Sequence, residues 1–273
     1  MAKLSKIYKK VRLNFLYKIF KFLNNKNFRV DALIIGGQRC ASTSIIDFLS
    51  NSNQIITPKN NEQLFFFSDK FDSSENYKKY HLSFVYNYFK KFNFKKKFFI
   101  EKTPEYCLKS YYLENIYKYN NDIKLIFIFR EPYSRIKSTY ELYKKQGYLN
   151  TFDRFLIDKN HKYNIKEFSL YSKIFKRVFD IFKIENVLII DFKKINDDIT
   201  KKEISKFLNI DLTNMVIPKS NSFKTVEENN NYVSEIKNFY NQDLDNDYKY
   251  FLELYKEYKE KFVKKINFKN VDC

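Results

Sequence analysis

Short apolar runs alternate along this chain with longer segments whose apolar residues recur every three to four positions. Unbroken apolar runs suit strands buried on both faces, and the three-to-four spacing suits amphipathic helices. Strands are predicted at 30–35, 98–101, 124–129 and 187–191, with a weaker one at 54–57. Helices are predicted at 43–51, 76–92, 111–119, 132–146, 169–181 and 200–207, with a long one at 233–263. Pro132 fits a first helical turn, where its missing N–H needs no partner. Strand–helix alternation predicts an α/β fold, a central parallel sheet flanked by helices in three layers. No internal repeat or Pro/Gly/Ser linker divides the chain, and the polar stretch 219–231 reads as a loop before the last helix.

Residues 1–29 form a separate unit in this reading, ahead of one domain at 30–273. They hold nine Lys or Arg and no acid. Leu4, Ile7, Tyr8, Val11, Phe15, Ile19 and Phe22 share one helical face, with Lys3, Lys6, Lys10 and Lys21 opposite. Such a basic amphipathic helix can dock on the domain and show its lysines to water. It can also lie peripherally on an anionic membrane surface. Both options stay open.

Composition narrows the picture further. At 273 residues with 44% hydrophobic and 19% aromatic content, the chain can bury a full core and is not disordered. Net charge is +19, which invites an anionic partner, yet Lys, Asn, Ile, Phe and Tyr are abundant together, as coding bias alone produces. Nucleic acid is therefore not expected as a partner. Cys40, Cys107 and Cys273 are too scattered for a disulfide framework or zinc site, and His81 and His161 stand alone, so no metal is expected. No secretory signal or transmembrane run is visible, which makes a cytoplasmic location the expectation.

Two of only three glycines, Gly36 and Gly37, stand where the first apolar strand ends, in Ile35-Gly-Gly-Gln-Arg-Cys-Ala-Ser-Thr-Ser44. Glycine permits positive φ and close backbone approach, so the pair predicts a tight loop around a bulky group. Strand, loop and helix in that order aim backbone N–H groups at one spot, a phosphate loop. Against G-x-x-x-x-G-K-[ST], Thr43 replaces the lysine and Ser42 the second glycine. No Walker-B aspartate follows a strand, since 124–129 ends in Arg130. A divergent P-loop kinase using ATP is the alternative reading, and these losses count against it. The dinucleotide pattern G-x-G-x-x-G also fails. Lys102-Thr103-Pro104 and Arg130-Glu131-Pro132 follow two other strands and should meet the loop at the carboxyl edge of the sheet.

The loop from Ile35 to Ile45 resembles the 5′-phosphosulfate loop of sulfotransferases that use 3′-phosphoadenosine 5′-phosphosulfate (PAPS). The segment Ile128-Phe-Arg-Glu-Pro-Tyr-Ser-Arg-Ile-Lys-Ser-Thr-Tyr140 resembles their 3′-phosphate motif, with an arginine at a strand end and a serine eight residues on. Glu62-Gln-Leu-Phe-Phe-Phe67 is similar to the segment that carries their catalytic glutamate. Glu101-Lys-Thr-Pro-Glu-Tyr106 looks like the Lys-[Ser/Thr]-Pro-x-Tyr element of the glycosaminoglycan branch. Residues 30–68 and 97–143 carry the likeness, and 168–171, 187–192 and 239–240 fit loosely. Several positions depart from the family pattern: Arg39 for lysine, Cys40 and Ala41 for Ser/Thr and Gly, Leu64 for histidine, Lys193 for an acid.

The resemblance implies a P-loop-like fold and sulfuryl transfer from PAPS to a hydroxyl or amine, on a carbohydrate acceptor, with no metal. It assigns Gly37, Gln38, Arg39, Cys40, Ala41, Ser42, Thr43 and Ser44 to the 5′-phosphosulfate, and Arg130 and Ser138 to the 3′-phosphate. Arg39 would stabilise charge on the leaving oxygen, and Lys102 the transferring group or the acceptor. Glu62 would act as general base, its pKa raised by apolar surface from the aromatic residues that follow. Tyr171 and Lys224 are weaker candidates near adenine or phosphate. Cys40 reads as a small residue that fits the loop, with a reactive thiol as the alternative.

Overall fold

The computed structural model describes residues 11, 14–20, 22, 29–68, 73–92, 97–147, 152–157, 165–212, 215–217 and 231–268. Of the predicted loop at 219–231, residues 219–230 with Lys224 lie outside them, as does Cys273, and Asn231 opens the last helix.

Five strands form one parallel sheet: β1 Ala32–Gly36, β2 Ile55–Ile56, β3 Phe98–Lys102, β4 Lys124–Phe129 and β5 Val187–Asp191. Their order is β2-β3-β1-β4-β5. Every residue of β1 is buried, as apolar runs in a sheet covered on both faces require. Helices flank the sheet: α1 Ser42–Ser50, α2 Ser74–Lys90, α3 Ser110–Tyr119, α4 Pro132–Lys145, α5 Phe152–Ile157, α6 Tyr171–Phe179, α7 Asp198–Leu208 and α8 Asn231–Phe268. The α/β class with a central parallel sheet is therefore observed. Strands 124–129 and 187–191 fall on their predicted bounds. Helix α5 was not predicted, because six residues are too few to carry a helical period.

β1 lies between β3 and β4, so the chain segments leaving these three strands emerge side by side. The strand order reverses there, where open α/β sheets form their ligand crevice. Two apolar cores sit behind that edge. The larger one packs the sheet against its helices. A smaller one joins Ile136 and Tyr140 of α4, Phe155 of α5 and Leu244 of α8. Helix α8 also covers the free side of β5. Tyr258 Oη donates to Val187 O at 2.6 Å and accepts from the Ile189 N–H at 3.2 Å, which satisfies an edge strand.

Residues 14–20 are helical, and the face that docks differs from the predicted apolar one. Phe20 is fully buried, edge-on to Tyr88 and Phe99, with Leu16 and Tyr17 packed beside it. Val11, Phe15 and Phe22 are exposed. An aromatic socket on the domain selects Phe20, and Val11, Phe15 and Phe22 of the predicted stripe face outward. No helix among the described residues is long and apolar enough to cross a membrane.

Candidate active site

The glycine pair serves a different purpose from the one expected. Neither Gly36 nor Gly37 has positive φ. A Cβ on Gly36 would come within 2.5 Å of the Phe127 ring, and one on Gly37 within 2.8 Å of the Ile128 carbonyl. The close approach is to β4 of the same chain. The Gly37 N–H donates to Ile128 O at 2.7 Å and the Cys40 N–H to Gly37 O at 3.2 Å. These two amides have partners within the chain. The left-handed positions are Arg39 (φ 62°) and Ala41 (φ 64°).

Ala41 precedes α1 and gives it no side-chain cap, and the first turn holds no acid. The helical ladder starts with the Ile45 N–H donating to Ala41 O. The amides of Ser42 and Thr43 thus stand ahead of the ladder at a positive helix end. Ser42 and Ser44 are buried and Thr43 is half-buried. Gln38 is half-buried, and its Oε1 is a buried atom without a hydrogen-bond partner.

The β4 side brings three candidate residues into contact. Arg39 Nε and Nη2 donate to Ser138 Oγ at 3.2 and 3.1 Å. Arg130 Nη1 donates to Arg39 O at 3.4 Å, and its guanidinium lies 4.5 Å from the Phe192 ring centroid. Burial and the neighbouring Arg130 both lower the Arg39 pKa. Glu141 acts in the other direction and raises it. Glu131 caps α4 by accepting the Tyr133 and Ser134 N–H groups. Cys40 is fully buried beneath the loop, 3.9 Å from Tyr171 Oη. Burial pushes its thiol up to about 11 despite nearby arginines, so it is a packing residue and not a thiolate.

The β3 side has another character. Lys102 is buried, and its Nζ donates to Thr43 Oγ1 at 2.9 Å. Burial lowers its pKa, against Asp47, Glu105 and Glu101, which raise it. Glu105 is half-buried, and desolvation raises its pKa. Glu62 is exposed, so the enclosing apolar surface expected around it is missing. Phe65 is exposed, while Phe66 and Phe67 turn inward, with Phe66 stacked on Tyr80 at 4.0 Å. Glu62 nonetheless sits between two anchors. Asn61 Nδ2 donates to Asp47 Oδ1 of α1 at 2.6 Å, and the Leu64 N–H donates to Thr103 Oγ1 at 3.3 Å.

Tyr171, a weaker candidate from the sequence, accepts the Arg130 N–H at 3.3 Å and touches Cys40, so it braces loop and strand tip. Two other residues at this edge carried no sequence assignment. Phe192 lies against Arg130 but carries no motif. Arg135 is fully buried, donating to Ser169 Oγ at 2.8 Å and to Ile165 O. Its spacing on the buried face of α4, with Ile136, Thr139 and Tyr143, was the available signal.

No family model matches the chain. Over 193 residues, 66% of its length, it is 30% identical to heparan sulfate glucosamine 3-O-sulfotransferase 5 of Mus musculus and of Homo sapiens. The match covers 53% of each, so the chain spans about half the length of these curated relatives. A solved sulfotransferase from Alicyclobacillus acidocaldarius superposes with a TM-score of 0.62 at 19% identity, covering 83% of this chain and 96% of that one. The fold is that of a sulfotransferase. The sequence likeness is to heparan sulfate sulfotransferases, so the resemblance read from four motifs recurs in sequence and in fold. Within the sulfotransferase fold, the phosphate loop, Arg130 and Lys102 lie at the tips of β1, β4 and β3, where three predicted clusters were expected to meet.

Proposed function

We propose that this protein is a sulfotransferase that moves a sulfuryl group from PAPS to a hydroxyl or amine of a carbohydrate acceptor. The observation that carries this reading is the contact of Arg39, Arg130 and Ser138 beside an uncapped helix start. Two converging guanidinium groups and a hydroxyl form a donor set suited to a phosphate. Ser42, Thr43 and Ser44 supply a second donor set at the start of α1. Two separate anion sites fit a nucleotide phosphorylated at both its 3′ and 5′ ends. Likeness to heparan sulfate sulfotransferases supports a carbohydrate acceptor.

When bound, PAPS supplies the activated sulfuryl group. Arg130, Arg39 and Ser138 hold the 3′-phosphate in this proposal, and the α1 start holds the 5′ end. Lys102, fixed on Thr43, is the cation nearest that helix tip by hydrogen bonding, and it stabilises charge there. Arg39 shares that role only by leaving Ser138. Glu62 takes the acceptor's proton, with solvent exposure leaving it open to an incoming chain. No group of three or more His, Cys, Asp or Glu able to hold a metal occurs among the described residues, and the proposal uses none.

Labelled-sulfate transfer from PAPS across a panel of carbohydrates tests the proposal. Transfer to at least one glycan is expected, with EDTA present. Absence of transfer to every hydroxyl and amine acceptor, by folded protein, would contradict it. A cytoplasmic protein with peripheral membrane contact through residues 1–29 is part of the same proposal, supported by exposed Val11, Phe15 and Phe22 in a basic segment. Phosphatidylserine vesicles should retain the full chain where neutral vesicles do not, and equal retention would remove that contact.

A further inference from the structure

Glu101 is a costly residue whose chemistry the reading above does not use. It lies in β3, fully buried, and forms no ion pair among the described residues. Its Oε1 has no hydrogen-bond partner. Burying a carboxylate without a cation is expensive, and desolvation pushes its pKa up to about 7. A leucine or glutamine would fill the same space at lower cost.

A hydrogen bond between Glu101 and the residue two positions on suggests its use. Thr103 Oγ1 donates to Glu101 Oε2 at 3.2 Å. A threonine hydroxyl has one proton and two acceptor lone pairs. Oε2 accepts that proton both when Glu101 is ionised and when it carries its own proton on Oε1, which turns the lone pairs toward other donors. Those donors are the N–H groups of Leu64 and Phe65, at 3.3 and 3.5 Å. Thr103 is itself fixed, its N–H donating to Ile34 O of β1 at 3.0 Å. Two residues on, the Phe67 N–H donates to Tyr106 Oη at 3.4 Å. Phe65 has φ 50°, a strained conformation that needs such outside support. The segment after Glu62 is thus templated on the segment after β3.

We propose that Glu101 is a positioning residue, which through Thr103 fixes the Leu64–Phe65 backbone and so the place where Glu62 meets the acceptor. This rests on the sulfotransferase reading with Glu62 as base. Lys102, which lies between Glu101 and Thr103 in sequence, brings its own contact with Thr43 into the same frame. Cation and base are then set relative to each other by one rigid element.

The test uses the full chain and three substitutions, Thr103→Val, Thr103→Ser and Glu101→Gln. Amide hydrogen exchange over 62–68 reports the anchoring directly, whatever the activity. In Thr103→Val, exchange at Leu64 and Phe65 should accelerate about tenfold, the size of one lost hydrogen bond. Turnover should fall by a similar factor, while KM for PAPS and affinity for adenosine 3′,5′-bisphosphate stay unchanged. Thr103→Ser should restore both protection and turnover. Glu101→Gln should give a smaller change in the same direction, because an amide can present its oxygen to Thr103. It also serves as the test if Thr103→Val does not fold. Unchanged exchange at Leu64 and Phe65, or turnover and nucleotide affinity falling together, would overturn the proposal. Failure of the unaltered chain to bind the bisphosphate would sink the sulfotransferase reading instead, with the exchange result still judging the anchor.

Discussion

The two halves of the carboxyl edge are built from opposite materials. On the β4 side the functional groups are guanidinium groups, in contact with a serine hydroxyl, a backbone carbonyl and a phenylalanine ring, and Glu141 raises the Arg39 pKa. On the β3 side one lysine stands among Asp47, Glu101 and Glu105. Arginine keeps its charge in any protein setting, so the first half offers permanent positive charge in a fixed fork. Burial raises the pKa of Glu101 and Glu105 and lowers that of Lys102, which brings proton exchange nearer neutrality. One half is suited to hold an anion and the other to move a proton. The loop at 37–44 belongs to both, through Arg39 on one side and Thr43 on the other.

If that division holds, the two halves must fail in different ways. Glu62→Gln should lower turnover by about two to four orders of magnitude, while adenosine 3′,5′-bisphosphate binds as before. Retained turnover would remove Glu62 as base and shift attention to Glu105. The β3 side should also carry a pH signature. In the unfolded chain Glu101 ionises near 4.5, and in the fold it keeps its proton up to about 7. Between those values the folded state binds more protons, so stability should fall as pH rises, by about 3 kcal/mol at most. Glu105 acts in the same direction. Urea unfolding of Glu101→Gln at pH 5 and pH 8 should show that slope reduced, and an unchanged slope would assign it elsewhere.

On the β4 side, Arg130→Ala should weaken binding of the bisphosphate by about tenfold to a hundredfold, the range for lost hydrogen bonds to a charged group. Calorimetry measures it, and the pH slope of stability should not change. The smallest effect concerns the shared loop. Ala41 adopts φ 64°, which costs an L-residue about 1 kcal/mol or more. Ala41→Gly should raise stability by about 0.5–1 kcal/mol after the greater freedom of glycine in the unfolded chain is counted. A loss of stability would mean that the alanine methyl packs usefully.

The sheet was legible because its strands are apolar runs between helical periods, a signal that lies wholly in local sequence. The site was legible as motifs at strand ends, since a parallel sheet sends every strand tip to one edge. Bracing contacts were not legible. Tyr171 reaches Arg130 across 41 residues, and Leu64 reaches Thr103 across 39. Nothing in local spacing marks such pairs. The glycine pair shows a subtler limit. Its importance was readable, but its cause, the closeness of Phe127 and Ile128 on a neighbouring strand, needs the sheet order. Glu62 was recognised by its motif, while the burial expected around it was wrong because Phe66 and Phe67 turn into the core and Phe65 stays exposed.

The most direct measurement is titration calorimetry of the full chain with adenosine 3′,5′-bisphosphate and with adenosine 5′-monophosphate, each in EDTA. The account predicts that the bisphosphate binds at least about tenfold more tightly, since only it engages Arg130 and Ser138, and that Arg130→Ala abolishes the difference. Equal affinity for the two nucleotides, or binding that requires added Mg²⁺, would contradict it.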